Sequence, residues 1–512
     1  MAEVDNATIK RMVMAGDAHM RAGRLQAAAT AFRDVLAISP RCAPALASLG
    51  WVLGLMGDNA QAADILRRAI AVEGSRGVFH YFLGTVLQRL GKADEALECY
   101  QKAIALTPQM PDSYGAAASV YERTHKLEQA CELLERGLKI APNDLQLASN
   151  LWSIRARRGQ QEQARDAMRK LVAAMPANEP PESAARVNQI LAQIEDRMGE
   201  YDQAFEHFRA MNENRLRWLG PRIAEAARYI ESFAQYRGLT SDMAKRWAAE
   251  KYDDGLADPL FLVGFPRSGT TMTEQILGAH PRVVATDERA MLIDVSSDVV
   301  NFAQQRQIPE ALDALTREHI LKLRRSYWEA TKRFGVNLAP GQVLLDKFPM
   351  HLGRLSIINR VFPRARVLVA LRDPRDCCIS AYMQAMQLNP GMMQMLRLDT
   401  AARLYATLMD LYLSEREKLT IAVKQIRYED TIDDLETQAR QMLDFLGLEW
   451  NDDVLKFHIR AKEKYVTTPS YLAVSQPVNK KAQGRWINYR RHIEPIVPVL
   501  APYLQEFGYE PA

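Results

Sequence analysis

The sequence predicts two architectures in one chain: an all-α solenoid of helix hairpins, followed by an α/β domain whose parallel sheet is flanked by helices. Three observations predict it. Small and bulky residues recur on a 34-residue period through the N-terminal part. The stretch Leu260 to Thr271, LFLVGFPRSGTT, runs from an apolar segment through a glycine-bearing turn into a helical pattern. A second apolar run, RVLVAL from Arg366, ends in RDPRD and also leads into a helical pattern. Apolar runs alternating with helical patterns are the mark of strands joined by crossover helices.

Gly23, Gly57, Gly91 and Gly159 fall on the period, with His125 in the fourth slot. Ala28, Ala62, Ala96, Ala130 and Ala164 keep it too, as do Pro40, Pro108, Pro142 and Pro176, with Gly74 replacing the second proline. Phe32, Leu66, Tyr100, Leu134 and Met168 are the larger members, and Gly16, Gly50, Gly84 and Ala118 mark the first helix of each unit. This pattern resembles the tetratricopeptide repeat. Small residues then sit where paired helices cross, bulky ones fill the gap to the next repeat, and proline ends the second helix. MGEYDQAFEHF from Met198 repeats the signature after a proline-rich insertion at Pro180 and Pro181. About six units, the last atypical, are expected over residues 1–215, then a helical linker over 216–258 ending in KYDDGLADP, then the α/β domain over 259–512. The resemblance implies a concave groove for an acceptor protein or partner peptide. The competing reading is a spacer or homodimer surface.

Composition narrows the class. A net charge of +4 with 25% charged residues is too weak to point to nucleic acid and suits a small anionic ligand. No apolar run approaches the ~18 residues of a membrane span. The start, MAEVDNATIK, lacks the basic-then-apolar design of a secretory signal, so a cytoplasmic setting is expected. The five cysteines (Cys42, Cys99, Cys131, Cys377, Cys378) form no CxxC and read as reduced thiols. No metal-ligand cluster is visible, and no metal is expected.

The loop in LFLVGFPRSGTT is built to hold an anion on backbone N–H groups and a helix N-terminus. Gly264 and Gly269 keep the spacing of a nucleoside-triphosphate loop, but Thr270 stands in its lysine slot and the fixed cation is Arg267. That argues against MgATP and a kinase. PRSGTT after an apolar strand resembles the 5′-phosphosulfate loop of sulfotransferases that use 3′-phosphoadenylyl sulfate (PAPS), most closely the tyrosylprotein type. The resemblance runs from about Leu260 to Pro511.

It implies a P-loop-like fold and transfer of a sulfuryl group from PAPS to an acceptor hydroxyl, a protein tyrosine or a carbohydrate. A repeat scaffold with an inactive sulfotransferase-like domain is the alternative. Arg267, Ser268, Gly269, Thr270 and Thr271 would hold the 5′ side, although the two threonines can also cap the helix. Glu288, 21 residues after Arg267, takes the place of the catalytic carboxylate and would accept the acceptor proton. Its other reading is a surface pair with Arg289, and His280 and His351 are rival bases. Lys347 in LLDKFPM would stabilise the leaving oxygen, unless it pairs with Asp346. Arg372 and Ser380 would bind the 3′-phosphate, against an Arg372 bridge to Asp373 or Asp376. Gln384 stands where the motif often carries another arginine. Tyr428 would touch the nucleotide, Ser470 the transferring group and Arg485 a phosphate, with Asn479 also at the cofactor, while Trp486 reads as core.

Overall fold

The computed structural model describes residues 6–463 and 478–510. Two compact units divide at Glu200 and Tyr201.

The first unit is a helical solenoid. Five hairpins occupy residues 6–38, 43–72, 77–106, 111–140 and 145–173, followed by the helix Pro181–Arg197. Each repeat turn needs a left-handed residue to reverse the chain, which is why glycine recurs there. Gly23, Gly57, Gly91 and Gly159 have φ of 71°, 93°, 77° and 96°, and His125 adopts the same conformation at 59°. The periodic alanines Ala28, Ala62, Ala96, Ala130 and Ala164 are fully buried. The larger residues differ from the expectation. A Cβ on Gly16, Gly50 or Gly84 would meet Phe32, Leu66 or Tyr100 at 2.5, 2.6 and 2.7 Å. Those bulky side chains therefore lie over the glycine of their own hairpin rather than only in the gap to the next. A flat glycine surface lets a large side chain pack directly on the helix backbone.

The second unit holds one five-stranded sheet: β1 (Leu260–Gly264), β2 (Val283–Ala285), β3 (Val343–Lys347), β4 (Arg366–Leu371) and β5 (Ala422–Arg427). Their order is β2-β3-β1-β4-β5 and every pairing is parallel. The central strand β1 is buried throughout, as its unbroken apolar run requires. The helix Thr270–Gly278, which follows β1, packs on β1, β2 and β3, and the helix Pro374–Tyr382 follows β4 and packs on the helix Leu398–Glu415. The register aligns the carboxyl ends, with Gly264 beside Ala370 and Leu371 beside Arg427. The turns that follow these ends form one rim, where ligands of open α/β sheets bind.

The division falls before the expected array end at 215. The helix Tyr201–Leu219 belongs to the second unit, where Asn212 Nδ2 donates to the Tyr382 carbonyl at 2.8 Å. The expected linker over 216–258 belongs there too. Asp254 and Asp258 each lie 2.7 Å from the guanidinium of Arg324, whose side chain is 1% exposed. Burying that cation requires both carboxylates, so KYDDGLADP is fixed structure rather than a tether.

Candidate active site at the carboxyl rim of the sheet

The loop after β1 turns sharply at Arg267 and Gly269, with φ of 72° and 99°. A Cβ on Gly269 would come within 2.8 Å of the Tyr428 ring, so the ring excludes any larger residue there. Gly269 is also the N-cap of the helix Thr270–Gly278, and no side chain caps it. The alternative capping role for Thr270 and Thr271 is therefore not used; both are buried under the loop. Ser268 is 2% exposed and its Oγ has no hydrogen-bond partner. A buried hydroxyl left unsatisfied is costly, which makes it a ready donor to an anion seated on the loop.

Three cations surround that hydroxyl's loop. Arg267 Nε donates to Ser380 Oγ at 3.1 Å. Burial, then the charges of Arg372 and Arg485, bring its pKa down to about 10. That depression reflects chiefly the enclosure of the guanidinium, with two further cations close by. Arg372, 6% exposed, donates from Nη1 to the Arg267 carbonyl at 3.2 Å and from Nη2 to Asp376 at 3.1 Å. It also donates to the Ala482 carbonyl and lies 4.6 Å from the centre of the Tyr428 ring, yet its Nε has no partner. Burial opposes its charge, but Asp376 holds its pKa above the ordinary value. The competing Arg372–Asp376 bridge is thus present, within an arrangement that still leaves a donor unspent. Asp373 pairs instead with Arg375 at 2.7 Å.

Asp376 also organises the late segment. Its carboxylate accepts from the Gly484 and Trp486 N–H groups at 2.9 and 2.8 Å, which fixes the backbone on either side of Arg485. Trp486 is half-buried rather than core, with the Arg375 guanidinium 3.7 Å from its ring centre. Asn479 Oδ1 accepts from the Lys481 N–H at 3.2 Å, a turn contact. The backbone carbonyl of Gln384 accepts from Arg215 Nη1 at 3.4 Å. Ser470 lies outside the described residues.

On the other flank, β2 and β3 deliver the remaining candidates. Lys347 Nζ is 2.7 Å from Glu288 Oε1 and 3.1 Å from Glu274 Oε2. Lys347 and Glu274 are fully buried, whereas Glu288 is 40% exposed. Neither competing pair forms: Glu288 pairs with Lys347 rather than Arg289, and Asp346 accepts from Tyr327 Oη at 2.8 Å. Burial disfavours the Lys347 charge, but the two carboxylates outweigh it and hold its pKa up. Burial raises the Glu274 pKa against the pull of Lys347. Glu288 sits in a left-handed turn with Asp287, at φ of 62° and 50°.

The rival bases are engaged or enclosed. His280 contacts the Glu449 carbonyl through Nε2 at 3.0 Å and accepts from the Arg282 N–H at 3.2 Å. His351 is fully buried, and burial with Arg354 nearby drives its pKa well below the usual range. Glu274 is the residue that the sequence reading missed. Its only signal was a lone charge in the helix turn MTEQIL, flanked by Thr273 and Gln275.

Comparison with known proteins finds repeats in the N-terminal part and a sulfotransferase-family domain in the C-terminal part. The Sulfotransferase family model matches residues 259–452, and tetratricopeptide-repeat models match 13–77 and 77–143. An uncharacterized protein of Aquifex aeolicus is 24% identical over 335 residues, 63% of this chain and 42% of that protein. The chain thus spans less than half of that relative's length. Protein-tyrosine sulfotransferase 1 of Danio rerio is 24% identical over 268 residues, 49% of this chain and 72% of that protein. The human protein of the same name is 24% identical over 271 residues, 49% and 70% of the two chains. Among solved structures, Pseudomonas aeruginosa pilF is similar at a TM-score of 0.35 and 19% identity, covering 42% of this chain and 93% of that one.

Proposed function

For a chain that carries a sulfotransferase-family domain behind tetratricopeptide repeats, we propose transfer of a sulfuryl group from PAPS to the hydroxyl of a protein tyrosine. The repeats would recruit the acceptor protein. One observation carries the reading. The anion loop, with its unsatisfied Ser268 hydroxyl and three crowded arginines, lies on the same rim as a lysine–glutamate pair 2.7 Å apart. The first part suits a bisphosphate nucleotide, and the second suits proton removal beside a departing anion.

PAPS would supply an activated sulfuryl group and a nucleotide leaving group. The residues here fit it, since Ser268 Oγ and Arg372 Nε are buried donors without hydrogen-bond partners. Arg267 and the loop N–H groups would hold the 5′ side, with Arg372 and Ser380 at the 3′-phosphate. Tyr428, against Gly269 and Arg372, would wall the nucleotide. The acceptor oxygen bonds to sulfur as the bond from sulfur to the bridging oxygen breaks. Its proton passes to Glu288, and the electron pair left on the bridging oxygen faces Lys347. Positioning and preorganised charge would do most of this catalysis.

The test uses the full chain, radiolabelled PAPS and host lysate, followed by identification of the labelled molecule. Label in protein tyrosine is expected, and E288Q should lower transfer by roughly 10²–10⁴-fold with nucleotide affinity little changed. Label in a carbohydrate would replace the acceptor. Thermal stabilisation by MgATP equal to that by PAPS, with no labelled product, would sink the reading.

A further inference from the structure

We propose that Glu274 is a positioning residue, the permanent counter-ion of Lys347 that leaves Glu288 free to act as base. The inference rests on the reading of Glu288 and Lys347 above and extends it to a residue outside the resembled motif.

Lys347 is fully enclosed, and a buried ammonium without a carboxylate partner is strongly destabilising. It has two such partners, which are not equivalent. Glu274 is 0% exposed, fixed on the helix Thr270–Gly278. Glu288 is 40% exposed, at the end of a turn. Only Glu288 can reach an acceptor in solvent. If it were the sole partner of Lys347, taking up a proton would strand a buried cation at the moment of transfer. With Glu274 in place, Glu288 can turn neutral while Lys347 stays compensated and aimed at the rim.

Glu274 has a second hold on the same turn. Its Oε1 accepts from the Asp287 N–H at 2.9 Å. Asp287 and Glu288 both occupy left-handed backbone, a conformation that non-glycine residues keep only when surrounding contacts impose it. Thr286 fastens the start of the turn, its Oγ1 accepting from the Lys347 N–H at 3.1 Å. One carboxylate therefore uses one oxygen to shape the turn that carries Glu288 and the other to neutralise Lys347. The charges facing it are Lys347 and Asp287, with Asp346 behind.

E274Q keeps the size and an acceptor for the Asp287 N–H but removes the charge. Lys347 would then depend on Glu288 alone and hold it in the pair. In the full chain, E274Q should lower kcat by roughly 10–100-fold while the affinity for adenosine 3′,5′-bisphosphate stays unchanged. In an E288Q background the base is already gone and the same change leaves Lys347 with no carboxylate partner, so it should lower the urea midpoint more than it does in the native chain. An equal fall of the urea midpoint in both backgrounds, or an unchanged kcat in E274Q, would overturn the proposal. A second arm needs no activity. K347M and E274Q should each lower the urea midpoint, and the double variant should recover above both, since removing one partner strands the other. A double variant less stable than either single would also overturn it. Recovery of the double variant, with no transfer from PAPS by the native chain, would retain the ion pair and reject the sulfuryl-transfer reading.

Discussion

Arg372 illustrates how a cation is kept ready for an anion. Its guanidinium is divided among the Arg267 and Ala482 carbonyls, Asp376 and the Tyr428 ring, and one N–H remains unspent. R372A should weaken adenosine 3′,5′-bisphosphate more than adenosine 5′-phosphosulfate, by about 10–100-fold, the equivalent of one charge-assisted hydrogen bond at ~1.5–3 kcal/mol. Calorimetry showing equal weakening of both would remove the 3′-phosphate assignment. A second residue bears on pH. Glu415 is 2% exposed, and burial, opposed by Lys418, pushes its pKa up to about 8. A folded pKa above the unfolded one means stability that is complete below the ordinary glutamate range, near ~4.3, and lost as pH rises through the folded value. E415Q should therefore melt several degrees above the native chain near about pH 9, with the gap closing below about pH 4. Parallel melting curves at both ends would show that the carboxyl stays satisfied when charged.

At the scale of elements, the repeat turns show propensity and fold in agreement, with one exception. Four turns use glycine at positive φ and the fourth slot uses His125 at 59°. A side chain in that region costs about 1 kcal/mol or more. H125G should raise the urea midpoint by the equivalent of up to about 1 kcal/mol with the slope unchanged. A fall would mean that the histidine side chain contributes more than its backbone strain costs. The turn carrying Asp287 and Glu288 makes the opposite choice, keeping two strained non-glycine residues. It follows β2 at the site rim, where side-chain chemistry outweighs local comfort.

At the scale of the molecule, every described nucleotide-site candidate lies in the unit Tyr201–Ala512. The fragment starting at Tyr201 should fold and bind adenosine 3′,5′-bisphosphate within about threefold of the full chain, because the site's contacts are internal to that unit. It should transfer sulfuryl groups poorly to a macromolecular acceptor if the repeats recruit it. Starting instead at Asp253 should reduce folding, since it strips the helix whose Asn212 holds the Tyr382 carbonyl. A folded fragment from Tyr201 that no longer binds the nucleotide would show that the first unit contributes to the site.

The sequence by itself determined the repeat period, the anion loop with Arg267, and the strand ends that carry Lys347 and Arg372. These features are local: a turn needs its glycine, a buried strand needs its apolar run, and a loop carries its cation with it. The interval from Arg267 to Glu288 was legible only through resemblance, because the sequence alone does not say that β2 lies beside β3. Tertiary structure decided the rest. Glu274 looks like any glutamate in a helix until the β3 lysine is brought against it, and only burial turns that ordinary charge into a fixed partner. The place of the division between units was likewise hidden in the repeat pattern. Periodicity specifies how a helix pairs with its neighbour, whereas the unit it joins depends on which distant surface buries its remaining face.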